Sequence, residues 1–171
     1  MKRKNISSLY GYILLFILFI AVTYFAIQYK KNVETEGGYL FFCDKGKCFA
    51  TEHVHADIYV SVCGKEISFE REEGGLLEQH THKEKNLIHW HSPLPADPKT
   101  QRIIDYTQRT VGSFFTEMKM PFNETCIQDK CNGDFCNEKN ASLSMHVNGK
   151  ENHQYDRYIW FDKDKIEIRF E

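Results

Sequence analysis

The chain lacks the short motifs that mark several large classes of enzyme. Its 171 residues contain no glycine-rich phosphate loop, no HExxH motif and no recognisable pairing of a nucleophile with a base. Phosphoryl transfer, zinc proteolysis and covalent hydrolysis therefore find no support. The barrel hydrolases and cupins that use His-x-His do not fit either, because the chain is too short for such a barrel and lacks the later glutamate, glycine and histidine spacings of a cupin.

Apart from short histidine pairs, the chain has no evident internal repeat, and it has no low-complexity tract. An excess of positive charge is also missing from most of the chain. Five of the 22 Lys and Arg residues lie in residues 1–31, which hold no acidic residue. The remainder has 17 basic and 24 acidic residues, a formal net charge of −7. A domain this acidic is a poor candidate for binding nucleic acid or an anionic membrane surface, and it does not repel cations. Its length of about 140 residues suits one compact domain.

The first segment differs in composition from the rest. Residues 1–8 are basic, and residues 9–29 form an uncharged, largely apolar run. About 20 apolar residues can cross a bilayer as a helix. The run is longer than the apolar region of a signal peptide, and no clear small-x-small cleavage site follows it. The pattern predicts an uncleaved transmembrane anchor over 9–29, in contact with lipid, and a linker over 30–38.

We expect the domain over 39–171 to be extracytoplasmic, so that the chain is a single-pass membrane protein. Basic residues flank the apolar run on both sides, which leaves only a slight positive-inside bias. Six cysteines in a small domain suit an oxidising compartment. Glycosylation sequons begin at Asn123 and Asn140 and are also compatible with an extracytoplasmic location of the domain.

Disulfides are the expected state of the cysteines, which are Cys43, Cys48, Cys63, Cys126, Cys131 and Cys136. Six cysteines allow fifteen pairings. Cys43–Cys48 would cross a predicted hairpin, and Cys126–Cys131 is favoured within a loop. Cys63 and Cys136 would then pair at longer range. A zinc knuckle built from the last three cysteines is the alternative, although its spacing is wide and a fourth ligand is lacking.

Apolar periodicity predicts an α+β fold. Hairpins are predicted over 39–51 and, from Asn148-Gly149, over 143–151, while 71–86 and 122–141 read as loops. Apolar residues at helical spacing predict a short helix that Thr110 caps and Pro121 ends. Further strands are predicted over 53–62, 66–70, 87–91, 157–161 and 165–170.

The predicted fold is an N-terminal transmembrane helix followed by one compact domain with a mixed β-sheet and one main helix. Three prolines within 92–98 exclude a central strand there. The last two strands, joined by a turn of Asp and Lys, resemble the end of a β-grasp domain. This resemblance concerns pattern alone and implies no activity.

Six of the eight histidines fall in three His-x-His pairs, namely His53, His55, His80, His82, His89 and His91. In a strand, residues i and i+2 point to the same face about 7 Å apart, so paired imidazoles can converge on an ion. The pattern predicts a transition-metal site. Asp57 and Glu84 continue the spacing of two of the pairs and are candidates to support the ligands. His146 and His153 read as ordinary residues.

Neutral imidazole binds zinc, copper, nickel and iron, and acidic surroundings suit either a Cu or a Zn ion. Met118 and Met120 offer thioethers for Cu(I). At the end of a predicted helix, however, methionine more often fills the core. Paired histidines on a surface can also be merely solvated or hydrogen-bonded, which is the competing interpretation of each single pair.

Three hypotheses about function follow. The first is a membrane-anchored extracytoplasmic protein that captures, buffers or transfers Cu or Zn. The second is a metal-dependent enzyme in which three histidines hold the ion, Glu84 acts as acid and base, and Asp57 or Tyr59 supports the ligands. The third is a β-grasp-like interaction domain without metal, whose histidines sense pH or contact a protein partner. The sequence identifies no such partner.

The chain resembles a family of membrane-anchored or secreted prokaryotic domains without an established activity. The resemblance spans roughly residues 53–170 and rests on the runs HVHADIYVSVCGKEISF, HTHKEKNLIHWHSP, TVGSFF, HVNGK and DKDKIEI. Lys83 stands where the family pattern has Asp, and His91 where it has Glu. The resemblance implies a shared fold and a shared histidine site at His53, His55, His80, His82 and His89. Lys83 would remove a carboxylate beside the ligands, and His91 would change the type of one ligand.

Overall fold

The structure is a computed structural model that describes residues 6–35, 39–70, 74–75, 78–81, 84 and 86–171. Two compact units divide the chain, Met1–Gly38 and Tyr39–Glu171. The first unit contains helix α1 (Ile6–Thr35). The elements of the second unit are β1 (Leu40–Asp44), β2 (Lys47–Thr51), β3 (Val54–Val62), β4 (Lys65–Ile67), β5 (His80–Thr81), β6 (Leu87–Trp90), β7 (Pro93–Pro95), α2 (Val111–Glu117), β8 (Cys126–Ile127), β9 (Lys130–Cys131), β10 (Phe135–Cys136), β11 (Lys139–Asn140), β12 (Leu143–Val147), β13 (Lys150–Glu151), a 3-10 helix (Tyr155–Arg157) and β14 (Lys165–Phe170).

The prediction of a transmembrane anchor over 9–29 is corrected by the structure. Within the described residues, no helix has both the length and the apolar character needed to cross a membrane. The transmembrane helix of the predicted fold class, the lipid contact and the single-pass localisation are corrected with it.

The predicted mixed sheet is present and forms the centre of the second unit. Its strand order is β13-β12-β14-β3-β6-β5, and β4 pairs with β3. β14 and β3 run parallel, whereas the other neighbours are antiparallel. Along β3, Val54, Ala56, Ile58 and Val60 are buried on the inner face. Because side chains alternate, His55 and the other odd-numbered residues up to Tyr59 lie on the outer face.

Helix α2 begins at the predicted residue and covers the inner face of the sheet. Thr110 and Ser113 form a capping box, in which each side-chain oxygen accepts a hydrogen bond from the other's backbone N–H at 3.1 Å. The helix buries Phe114 and Phe115, and the Phe114 ring packs edge-on to Phe69 at 5.2 Å. This burial, more than intrinsic propensity, stabilises a seven-residue helix.

A smaller sheet of order β1-β2-β7 contains the predicted first hairpin. β7 carries Pro93 and Pro95 and lies at its edge, where a strand can lack backbone donors. Residues 122–141, predicted as a loop, contain two small hairpins, β8-β9 and β10-β11. Short two-residue strands leave no readable periodicity, so sequence alone did not indicate them.

All six cysteines lie in the described part of the chain, and each is disulfide-bonded. The bonds are Cys43–Cys48, Cys63–Cys136 and Cys126–Cys131, which are the pairs favoured by spacing. The second bond ties the end of β3 to the hairpins of 122–141. No thiolate is left for a zinc knuckle, so that alternative is wrong. The disulfides are typical of an oxidising environment such as the extracellular one.

Several predicted elements differ in the structure. The strand predicted over 66–70 is limited to β4, and α2 ends at Glu117, before Pro121. The strand predicted over 157–161 is replaced by the 3-10 helix and a single bridge between Ile159 and Thr110. The backbone there bonds to the start of α2 instead of to a sheet, since Val111 N–H donates to the Tyr158 carbonyl at 2.9 Å. Within the predicted loop 71–86, β5 adds a strand to the main sheet beside β6.

Candidate metal centre

Strand register brings histidines from β3, β5 and β6 into one row across the sheet. His89 on β6 is the direct partner of His55 on β3 and of His80 on β5. His53 precedes β3 and His91 follows β6, one pleat further along. The residues that alternate with them, such as Val54 and Trp90, are buried on the inner face. The five described histidines of the pairs therefore lie on the outer face of the sheet.

His89 occupies the middle of this group, which we call the histidine cluster: His53, His55, His80, His89 and His91. Its ring centroid lies 4.5 Å from those of His53 and His55, 4.7 Å from that of His80 and 5.1 Å from that of His91. The neighbouring imidazoles help to cover it, and only 6% of its surface is exposed. His80 is equally buried, whereas the other three remain partly accessible to solvent.

The ring nitrogens of the cluster approach one another at distances that suit metal ligands. Nε2 of His89 lies 3.0 Å from Nε2 of His53, and Nδ1 of His89 lies 2.9 Å from Nε2 of His80. Two imidazole ligands of a tetrahedral zinc ion are about 3.3 Å apart. Two triads, His53-His55-His89 and His80-His89-His91, each place three donor nitrogens within 4.8 Å of one another. Both triads could hold a metal ion.

The hydrogen bond of His80 favours the tautomer that metal binding requires. Nδ1 of His80 lies 3.0 Å from the backbone carbonyl of Glu78. A carbonyl can only accept, so Nδ1 carries the proton of the neutral ring. The lone pair is then on Nε2, which points at His89. Metal-bound histidines are commonly oriented by such a bond to a carbonyl.

Electrostatics keep His89 and His91 neutral. Burial and, after it, the nearby rings of His55, His53, His80 and His91 together lower the pKa of His89 from 6.5 to about 2. The pKa of His91 is also lowered, first by burial and then by His80 and His53, against a backbone hydrogen bond that raises it. Neutral imidazole is the form that coordinates metals. The donors are therefore ready for an ion at neutral pH.

Gln79 holds β5 in place and was not identified from the sequence. Its side chain is buried, and its amide nitrogen lies 2.9 Å from each of three oxygens: the carbonyls of Gln108 and Thr110 and the hydroxyl of Ser113. The amide oxygen accepts a hydrogen bond from Trp160 Nε1 at 2.7 Å. These contacts join the residue before His80 to the N-terminus of α2. No local sequence pattern marks a glutamine for this role.

An ion pair between a buried arginine and a partly exposed glutamate supports the segment that leads into His53. Arg109 is fully buried and donates from Nη1 to Glu52 Oε2 at 2.7 Å. Its guanidinium also lies over the ring of Tyr106, 4.6 Å from the centroid. A charge buried in this way needs such partners to be tolerated. The sequence offered no signal for this pair, because its members lie 57 residues apart.

The Asp-Lys-Asp turn before β14 holds the backbone of His55. Asp162 Oδ1 accepts a hydrogen bond from His55 N–H at 3.0 Å, and Lys163 N–H donates to the His55 carbonyl at 2.7 Å. Asp164 is buried and accepts from Tyr158 Oη at 2.9 Å. The sequence predicted this turn only as a connection between strands. The structure shows that it also fixes a residue of the histidine cluster.

Asp57 and Glu84, the residues predicted to support the ligands, are both exposed. Asp57 is exposed on the outer face and lines a groove with Tyr59, Lys165 and Glu167. Glu84 is exposed between β5 and β6. His82 and Lys83 lie outside the described residues.

The other candidates lie away from the histidine cluster. His146 is on β12, two strands from β3, and aligns with Tyr59 through Glu167 of β14. His153 is exposed near Glu151. Met118 is part of the hydrophobic core, as its helical position favoured. The predicted glycosylation sites, Asn123 and Asn140, are exposed.

Comparison with known proteins returned no match to a family profile, to a curated protein or to a solved structure. The resemblance of the His-x-His runs to membrane-anchored or secreted domains stays a prediction. The fold and the site define a disulfide-bonded, sheet-rich domain with a cluster of histidines on the outer face of its mixed sheet. Any function has to be argued from that cluster.

Proposed function

We propose that this protein binds a Cu or Zn ion through its histidine cluster and captures, buffers or transfers that ion. The observation that carries the proposal is the position of His89. Each of its two ring nitrogens lies 2.9–3.0 Å from a nitrogen of another histidine. Five imidazoles so close together provide donors that late first-row transition metals prefer.

The exposure of the cluster supports reversible binding. His89 and His80 are buried, while His53, His55 and His91 are partly accessible from the outer face. An ion can therefore reach the cluster from solvent and leave it again. The acidic balance of residues 32–171 favours the approach of cations.

The experiment is a metal titration of the purified full-length chain after chelation. We expect tight binding of Cu(II) or Zn(II), measured by elemental analysis after desalting and by competition with a chromophoric chelator. The double variant His53→Ala/His55→Ala should bind far less metal than the wild type. The matched control His146→Ala should bind as much as the wild type, because its side chain lies outside the cluster. A wild-type protein that retains no metal after reconstitution would refute the proposal.

A further inference from the structure

We propose that His89 bridges two metal ions, one on each ring nitrogen. This inference rests on the proposed function and adds the stoichiometry and arrangement of the ions. The two nitrogens of one imidazole point in divergent directions, and here each direction ends on a different histidine. Nε2 faces His53 at 3.0 Å and Nδ1 faces His80 at 2.9 Å. One ion cannot use both nitrogens of the same ring.

The metal-free cluster is a directed chain of shared protons. Because the Glu78 carbonyl fixes the His80 proton on Nδ1, His80 Nε2 accepts, and His89 Nδ1 must donate to it. A neutral His89 then has its lone pair on Nε2, which accepts from His53 Nε2–H. A metal ion can take the place of each shared proton and bind the same two nitrogens. The proton on His89 Nδ1 leaves to solvent, so that His89 becomes an imidazolate. The proton on His53 Nε2 is exchanged through solvent for one on Nδ1, so that His53 stays neutral and binds through Nε2.

Each of the two positions has a third imidazole within reach. His55 stacks on His89 with an interplanar angle of 7° and lies 4.8 Å from His53, ring centre to ring centre. It is the third member of the triad that contains His53 and His89. The ring centre of His91 lies 5.3 Å from that of His80 and 5.1 Å from that of His89, and His91 is the third member of the triad that contains those two residues. Both triads satisfy the same distance limit of 4.8 Å between donor atoms, with His89 as the shared member.

The ligand class is a pair of divalent first-row transition ions, copper or zinc. Each ion receives three imidazoles, and three protein ligands leave a coordination position open to water. Imidazolate carries one negative charge, which lowers the repulsion between two cations held near each other. A protein in which only one ion binds would use one nitrogen of His89 and leave the second triad as a hydrogen-bonded support.

The test uses Cu(II) added to the metal-free full-length protein, followed by electron paramagnetic resonance and elemental analysis. With a bridging imidazolate, the signal of the first ion should weaken as the second binds, because the two spins couple through the ring. Saturation should occur at two ions per chain. His55→Ala and His91→Ala form a matched pair, since each belongs to one triad only. Each variant should hold one ion and keep an uncoupled signal.

The controls separate this inference from the proposed function. His146→Ala should saturate at two coupled ions, as the wild type does. Near-ultraviolet circular dichroism of each variant reports whether it folds, and His55→Gln and His91→Gln replace any alanine variant that does not. Saturation of the wild type at one ion, or two ions without coupling, would overturn the bridge while leaving metal binding intact. An absence of bound metal would refute both.

Discussion

At the scale of single residues, His89 shows how the cluster depends on protonation. An imidazole that is 94% covered is tolerated only while it is neutral, because burial and four neighbouring rings oppose its positive charge. The same neutrality makes its lone pair available to a metal. In His80, the hydrogen bond to the Glu78 carbonyl places a proton on Nδ1, the nitrogen that faces away from His89, and leaves the lone pair on Nε2. Stability and metal binding thus depend on the same protonation state.

We therefore expect the metal-free protein to lose stability in acid. Unfolded His89 takes up a proton near its ordinary pKa of 6.5, whereas the folded form resists protonation until about pH 2. Protons consequently favour the unfolded state as pH falls below 6.5, and the contribution of His89 is fully present above that value. Between pH 7.5 and pH 5.5 this group should remove about 1.4 kcal/mol from the free energy of unfolding.

Urea unfolding at the two pH values measures this effect. His89→Ala should show a smaller loss than the wild type by about that amount, because it has no ring to protonate. His146→Ala should show the wild-type loss. An equal loss in all three proteins would mean that His89 titrates normally in the folded state.

At the scale of elements, strand β5, which carries His80, needs support from the rest of the fold. A two-residue strand has little hydrogen bonding of its own, and it carries His80 into the row beside His89. Gln79 supplies the missing support by linking β5 to the start of α2 and to Trp160. α2 in turn depends on the capping box of Thr110. The helix therefore positions a ligand that lies on a strand.

Gln79→Ala should destabilise the fold and weaken metal binding at the His80 side. The change leaves buried partners, including Trp160 Nε1, without their hydrogen bond, at a cost of about 1–3 kcal/mol in the free energy of unfolding. Denaturant unfolding and metal titration measure the two effects. Gln108→Ala is the matched control, because Gln79 contacts only the backbone carbonyl of Gln108, which survives the change. Wild-type stability of Gln79→Ala would show that the network is not needed.

At the scale of the whole molecule, disulfides join regions that the strand order alone leaves apart. Cys63–Cys136 spans 73 residues and attaches the hairpins of 122–141 to the end of β3. Cys43–Cys48 and Cys126–Cys131 each close a hairpin of five-residue separation. Because the loss of chain entropy on cross-linking grows with loop length, the three bonds differ in their effect.

Removing the long-range bond should therefore cost the most. The variant Cys63→Ser/Cys136→Ser should lose about 4 kcal/mol in the free energy of unfolding, whereas Cys43→Ser/Cys48→Ser should lose about 2 kcal/mol. Guanidinium unfolding of both variants against the wild type provides the comparison. Equal losses from the two variants would contradict a contribution governed by loop length.

Local periodicity and spacing were enough to predict much of this protein. The alternation of β3 and β14, the hairpin at Asn148-Gly149, the cap at Thr110 and the pairing of nearby cysteines depend on residues close in sequence. The same holds for the shared face of the pairs His53/His55 and His89/His91, since alternation in a strand is a local property. These features can therefore be predicted from short stretches of sequence.

Only the tertiary structure decided how the pairs meet. It made β3, β5 and β6 neighbours, placed His89 at the centre, and turned the segment 157–161 away from the sheet. It also brought Glu52 to Arg109 and Gln79 to Trp160 across long stretches of chain. Strand neighbours and buried polar partners depend on which surfaces pack together over the whole domain. No short stretch of sequence carries that information.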